Sequence, residues 1–152
     1  MIAKKTKYAL TALIYLARKY HDALPVLISD LAQEEKIPKK FLEFILLELK
    51  KNGILQSKKG KGGGYFLAKP PEQIILGKVI RILEGPLAPV PCVSQTAYQK
   101  CEDCRDENCC GIRVIMKDVR DAIANILDHT TLADVLKRTN AIAQKGSLTY
   151  TI

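Results

Sequence analysis

The chain has 152 residues, 47% of them hydrophobic, with 24 Lys and Arg against 16 Asp and Glu and a net charge of +8. That length can bury a core and most simply forms one domain with an appended helix. Its apolar runs are far shorter than the ~18 residues of a membrane span, and no segment resembles a secretory leader, so a cytoplasmic protein is expected.

The charge is polarised. Residues 1–71 hold fourteen Lys/Arg against six Asp/Glu, whereas residues 72–152 hold ten of each. A basic half joined to a neutral one is the electrostatic footprint of a polyanion-binding module attached to something with another task.

The first predicted helix runs from about Thr6 to Tyr20, with Tyr8, Ala9, Ala12, Leu13, Leu16 and Ala17 as its apolar stripe. Lys4, Lys5 and Lys7 at its start either touch phosphate or are solvated. A short helix follows over Ile28–Glu35, then a turn at Lys36-Ile37. Pro38 suits a first helical position, where its missing N–H costs nothing. The next helix, Lys39–Asn52, has Leu42, Ile45, Leu46 and Leu49 on one face and Gly53 as its cap. Two helices joined by so short a turn form a helix-turn-helix whose second member reads the major groove. Lys39, Lys40 and Phe44 are its expected DNA contacts; Phe41 is assigned to the core, while Phe44 falls off the apolar stripe.

Two short strands, Ile54–Gln56 and Tyr65–Ala68, are expected next, joined by a turn of lysine and glycine. Glycine accepts the positive φ angles of a tight hairpin. Lys58, Lys59 and Lys61 place cations at the tip, and Gly62 and Gly63 complete the expected DNA-contacting surface. Alone, this is a solvated Gly-Lys turn; behind a helix-turn-helix it reads as the wing of a winged helix.

A helix over Ile75–Glu84 is closed by Gly85-Pro86. Residues 86–110 contain three prolines and all five cysteines, with no periodicity. Structureless loops beyond about 12–15 residues are usually functional or disordered. In a reducing compartment, metal or redox chemistry explains such a thiol cluster better than disulfides. Thiolates are soft ligands for iron–sulfur clusters and zinc, and Cys101-x2-Cys104 is a chelate spacing. A loop without metal, redox-active or inert while a protein partner does the sensing, is the remaining alternative.

Ile112–Asp128 is the longest amphipath, with Ile112, Ile115, Val119, Ala122, Ile123 and Ile126 in one seam. It is read as a dimerisation helix, the alternative being a helix of the intrachain core. Thr131 and Asp134 make a capping-box-like start to a final helix ending near Ala143. The resulting division is a DNA-binding domain over 1–85, a cysteine-rich sensor loop over 86–110, a dimerisation helix and final helix over 111–143, and a loose tail over 144–152. The fold class is mainly α with a small β-hairpin: a winged helix-turn-helix plus a long dimerisation helix. An enzyme is disfavoured. His21 and His129 are far apart in sequence, and Gly62-Gly63-Gly64 opens no helix, as a phosphate-binding loop must.

These features resemble the Rrf-two family of bacterial winged-helix regulators over nearly the whole chain. The resemblance rests on Lys7-Tyr8-Ala9-Leu10, on Leu49-Lys50-Lys51-Asn52-Gly53-Ile54-Leu55, on the wing Gly60 through Pro71, and on Leu83-Glu84-Gly85-Pro86-Leu87. It implies a homodimeric DNA-binding transcription factor that reads a pseudo-palindromic double-stranded operator. For many members it also implies a labile iron–sulfur cluster held by three cysteines with five residues between successive ones. On that pattern Cys110 and Cys104 take the last two positions, but the first falls on Tyr98. Cys92 and Cys101 are the substitutes, giving a four-cysteine metal set of Cys92, Cys101, Cys104 and Cys110, with Cys109 competing for the last place. The positions of the family's additional ligands hold Arg113 and Lys7, neither of which can serve. The rival from another class is a zinc-stabilised nucleic-acid interaction protein without operator specificity.

Overall fold

The computed structural model describes residues 2–149. Six α-helices and one antiparallel hairpin follow in the order α1 (Lys4–Arg18), α2 (Ile28–Glu34), α3 (Lys39–Lys51), β1 (Leu55–Lys58), β2 (Gly64–Leu67), α4 (Leu76–Glu84), α5 (Gly111–Asp128) and α6 (Leu132–Thr149). Helix α1 begins two residues before the expected start and gives way at Tyr20–Asp22 to a turn of 3₁₀ helix. Lys5 of α1 pairs with Glu48 of α3 at 2.5 Å.

The core lies where α1, α2, α3 and the hairpin meet. Ala9, Ala12, Leu13 and Leu16 of α1 pack with Leu31 of α2, with Leu42, Ile45, Leu46 and Leu49 of α3, and with Leu55 and Leu67 of the strands. Pro38 is the N-cap of α3 and not its first helical residue: its carbonyl accepts from the Leu42 N–H at 2.9 Å. At the other end Gly53, at φ +75°, closes the helix. Its N–H reaches the Lys50 carbonyl, and the Ile54 N–H reaches that of Leu49, the paired bonds of a Schellman motif.

The hairpin is shifted from its expected position. Leu55 pairs with Leu67 and Lys58 with Gly64, so Lys58 ends a strand and the tip spans 59–63. The cause is the glycine run. Gly60 and Gly62 take positive φ, and a Cβ on Gly63 would lie 2.2 Å from the Lys58 carbonyl oxygen, so the chain folds back tightly there. A third extended segment joins the hairpin at Val26, which exchanges two 2.8 Å backbone hydrogen bonds with Tyr65.

Helix α6 returns to this same core. The Leu132 N–H bonds the Ile74 carbonyl, the Leu76 N–H bonds the Thr130 carbonyl, and Leu132 is fully buried. The expected capping box forms: Asp134 accepts from the Thr131 N–H at 2.8 Å, and the Asp134 N–H reaches the Thr131 hydroxyl. The Thr131 N–H and, at 2.9 Å, the Thr131 hydroxyl both donate to the Asp134 carboxylate and hold it below the usual range. The loose tail expected over 144–152 is corrected. Residues 144–149 continue α6 through Gly146, because one glycine weakens a helix by only ~1 kcal/mol and does not end it. Residues 150–152 lie outside the described residues.

Helix α5 differs from the rest: none of its 18 residues is buried. It is fastened to α4 by Arg81, which donates to both carboxylate oxygens of Asp128 at 2.5 and 2.9 Å. Gly77 makes this approach possible, since a Cβ there would sit 2.0 Å from the Asp128 Oδ1. Among the described residues no helix is long and apolar enough to cross a membrane.

Candidate nucleic-acid interface and cysteine loop

Helix α3 turns Leu42, Ile45, Leu46 and Leu49 inward, and the 3.6-residue repeat then fixes what faces out. A groove of about 620 Å³ separates α3 from the hairpin, walled by Lys39, Glu43, Leu47 and Lys50 on one side and by Ser57, Lys58, Lys59 and Gly60 on the other. Lys39, Lys40, Lys58, Lys59, Lys61 and Gly62 are all exposed. Gly63 is buried inside the turn and contributes its shape. A second groove of about 820 Å³ lies between the end of α1 and β2, rimmed by Lys19, Lys58 and Lys61. The wing thus stands between two lysine-edged grooves, a form suited to following a phosphate backbone.

Phe44 is 77% exposed, as its place off the stripe requires. Phe41 is half out of the core, with its ring edge-on to Tyr8 at 5.7 Å. Lys50 is a groove residue that the pattern reading missed; its Nζ donates to the Ser57 hydroxyl at 2.6 Å and ties α3 to β1. The available signal was the spacing of Lys39, Glu43 and Lys50, which places all three on the wing-facing side of one helix.

The cysteine loop is strapped to α5 by arginines. Arg113 Nε donates to the Cys92 carbonyl at 3.4 Å, and the largely buried Arg120 donates to the Val93 carbonyl at 2.6 Å. Val93 and Ser94 are buried beneath this strap, and the Ser94 hydroxyl accepts from the Ala97 N–H. Farther on, Tyr98 hydrogen-bonds Glu107, which pushes its hydroxyl above the usual tyrosine range.

Cys101, Cys104 and Cys110 share one neighbourhood: burial first, then the Cys110 and Cys101 thiols and Glu107, push the Cys104 thiol up. Cys110 also caps α5, its Sγ accepting from the Arg113 N–H at 3.5 Å. Cys92 lies near Tyr98, and the exposed Cys109 is next to Asp106. The donor chemistry suits an iron–sulfur cluster or zinc. Among the described residues, no three Cys, His, Asp or Glu side chains close into a group that could hold a metal ion.

Comparison with known proteins agrees with this architecture. Residues 2–138 match the family model of Rrf2, described as an iron-dependent transcriptional regulator. An Rrf2-like HTH-type transcriptional regulator of Rhodobacter capsulatus is 41% identical over 146 residues, covering 95% of this chain and 97% of that protein. Among solved structures, CymR, the global cysteine regulator of B. subtilis, superposes with a TM-score of 0.76 at 33% identity, covering 91% of this chain and 97% of that one. IscR of T. potens superposes with a TM-score of 0.72 at 27% identity, covering 91% and 88% of the two chains.

Proposed function

The chain belongs to the Rrf2 family of DNA-binding transcriptional regulators, and from that premise we propose that it acts as a cytoplasmic homodimer whose cysteine loop controls its grip on an operator. The observation that carries this is the pairing of a lysine-lined groove at α3 and the wing with a helix, α5, whose apolar seam is open to solvent.

In this reading α3 enters the major groove through Lys39, Lys40 and Phe44. Lys58, Lys59 and Lys61 of the wing neutralise phosphates, with Gly62 and Gly63 setting its shape. The seam of Ile112, Ile115, Val119, Ile123 and Ile126 meets its two-fold mate. A symmetric dimer presents two α3 helices to a pseudo-palindromic site, with half-sites about 34 Å apart or a multiple of that.

The loop is the sensing element. Cys92, Cys101, Cys104 and Cys110 would hold an iron–sulfur cluster, which when bound supplies redox-active iron to the loop. The donor set supports that assignment, and closing the four thiols on one cluster requires a change in the pose of the loop. The protein's own residues carry such a change onward. Arg113 and Arg120 hold the loop to α5, and the Arg81–Asp128 pair holds α5 to the DNA-binding half. Sensing then amounts to a difference in operator affinity between two loop poses.

The test is anaerobic purification with iron, sulfide and zinc assays, followed by footprinting of the same sample. Matched iron and sulfide that disappear in Cys104→Ala, together with a two-half-site footprint, support the whole reading. Colourless protein containing zinc replaces the cluster with a structural metal, and metal-free protein moves sensing to thiol chemistry or a protein partner. A single asymmetric half-site defeats the dimer.

A further inference from the structure

The outermost row of α3 has a composition that phosphate contact alone does not explain. Lys40, Phe44, Leu47 and Lys51 follow one another at spacings of four, three and four, so they share the face turned away from the core. Phe44 is 77% exposed and Leu47 44%. The lysines at the two ends are separated by eleven residues, about 16 Å along the helix axis. That span exceeds the ~12 Å width of the major groove. A helix laid in the groove with its end lysines at the flanking phosphates therefore brings the middle of the row to the base edges. Between those lysines the row offers no hydrogen-bonding side chain. Glu43 lies to the side, on the row it shares with Lys39 and Lys50; Leu47 borders the wing groove as well as the outermost row, and Phe41 is turned toward Tyr8.

A phenyl ring cannot read a donor or acceptor. Of the four bases, only thymine presents an apolar group in the major groove, its 5-methyl. From this geometry we infer that Phe44, backed by Leu47, is a specificity-determining residue that reads thymine methyl groups in the operator. The inference rests on α3 being the recognition helix. Its chemical partner is duplex DNA with thymine at the centre of each half-site. Large apolar side chains left in water gain most from such a contact, and the end lysines supply the matching charge for the strands on either side.

The experiment selects duplexes from a random pool with the wild-type dimer, then replaces each thymine of the selected duplex in turn with deoxyuridine. That change removes a methyl group and leaves base pairing intact. Wild-type affinity should fall about fourfold for each contacted methyl. Phe44→Ala, which alters an exposed residue and leaves the core untouched, should bind the thymine and uracil duplexes equally. The same affinity for both duplexes in the wild type overturns the inference, and so does a methyl dependence that survives in Phe44→Ala. A Phe44→Ala variant that changes the oligomeric state while keeping its methyl dependence assigns this face to a protein contact and overturns it too. A pool from which nothing is enriched defeats operator recognition itself, whereas an enriched duplex indifferent to methyl removal defeats only the role of Phe44.

Discussion

Helices α3 and α5 are both strongly amphipathic, yet the molecule treats their apolar faces in opposite ways. Leu42, Ile45, Leu46 and Leu49 of α3 are wholly buried by α1, α2 and the hairpin. The seam of α5 runs from Ile112, 69% exposed, to Ile126, 62% exposed, and only its other side is held, by arginine contacts to the loop and by the Arg81–Asp128 pair. The DNA-binding half is closed within one chain, while α5 presents the kind of surface that a monomer in water rarely leaves uncovered. The expected consequence is that damage to the buried face of α3 strikes the fold, whereas damage to the exposed seam of α5 leaves it standing.

The sharpest way to break this contrast is to charge the seam. In Ile115→Lys/Ile123→Lys, light scattering should report a monomer at micromolar concentration while circular dichroism keeps the helical signal. Operator affinity should then fall by about a hundredfold, because the two half-sites no longer act together. A variant that stays dimeric would place the interface elsewhere. Next in size is Gly64→Ala. Its φ is +148°, and a Cβ would lie 2.2 Å from the Val26 carbonyl oxygen, so either the bridge to Tyr65 or the hairpin must give way. A loss of about 2–3 kcal/mol in urea unfolding is expected, and no loss would mean that the wing is not tied to the core in this way.

A smaller effect separates the wing from the rest of the interface. Lys59→Ala/Lys61→Ala should reduce the slope of log K against log salt by about two and weaken all sequences alike. A change confined to sequence preference would instead give these lysines a base-reading role. The smallest effect concerns the joint between the two halves. The hydrogen bonds from Arg81 hold the Asp128 carboxyl below its usual range. Its contribution is therefore present above the unfolded-state value of about 3.9 and is lost as pH falls through the lower folded value. The wild-type melting temperature should drop more between pH 5 and 3 than that of Asp128→Asn. The Asp128 side chain is 38% exposed, so solvent screening keeps the difference under about 1 kcal/mol. Equal pH profiles would show that the pair contributes nothing to stability.

Local rules account for much of what the chain alone reveals. The inward stripe of α3, the glycine cap at 53, the capping box at 131–134 and the basic wing are set by residues within a turn or two of one another, and each was legible in order. The exposed Phe44 was legible for the same reason, since helical periodicity alone turns it away from Leu42 and Leu46. Boundaries were less so. The strands slipped toward the turn because the backbone contact at Gly63 sets how tightly the chain folds back, and composition does not report that distance.

Long-range pairings were left for tertiary structure to decide. Leu132 enters the first core, Val26 bridges to Tyr65 of the wing, Lys50 meets Ser57, and Arg113 and Arg120 reach back across the loop to Cys92 and Val93. Each joins residues from seven to more than a hundred positions apart, whose approach depends on how whole elements pack. The five cysteines could be counted in the sequence, but the proximity of Cys101 and Cys110 to Cys104 could not. The arginines on α5 that hold this loop grip backbone carbonyls, a contact that carries no sequence motif because every residue has a carbonyl to offer.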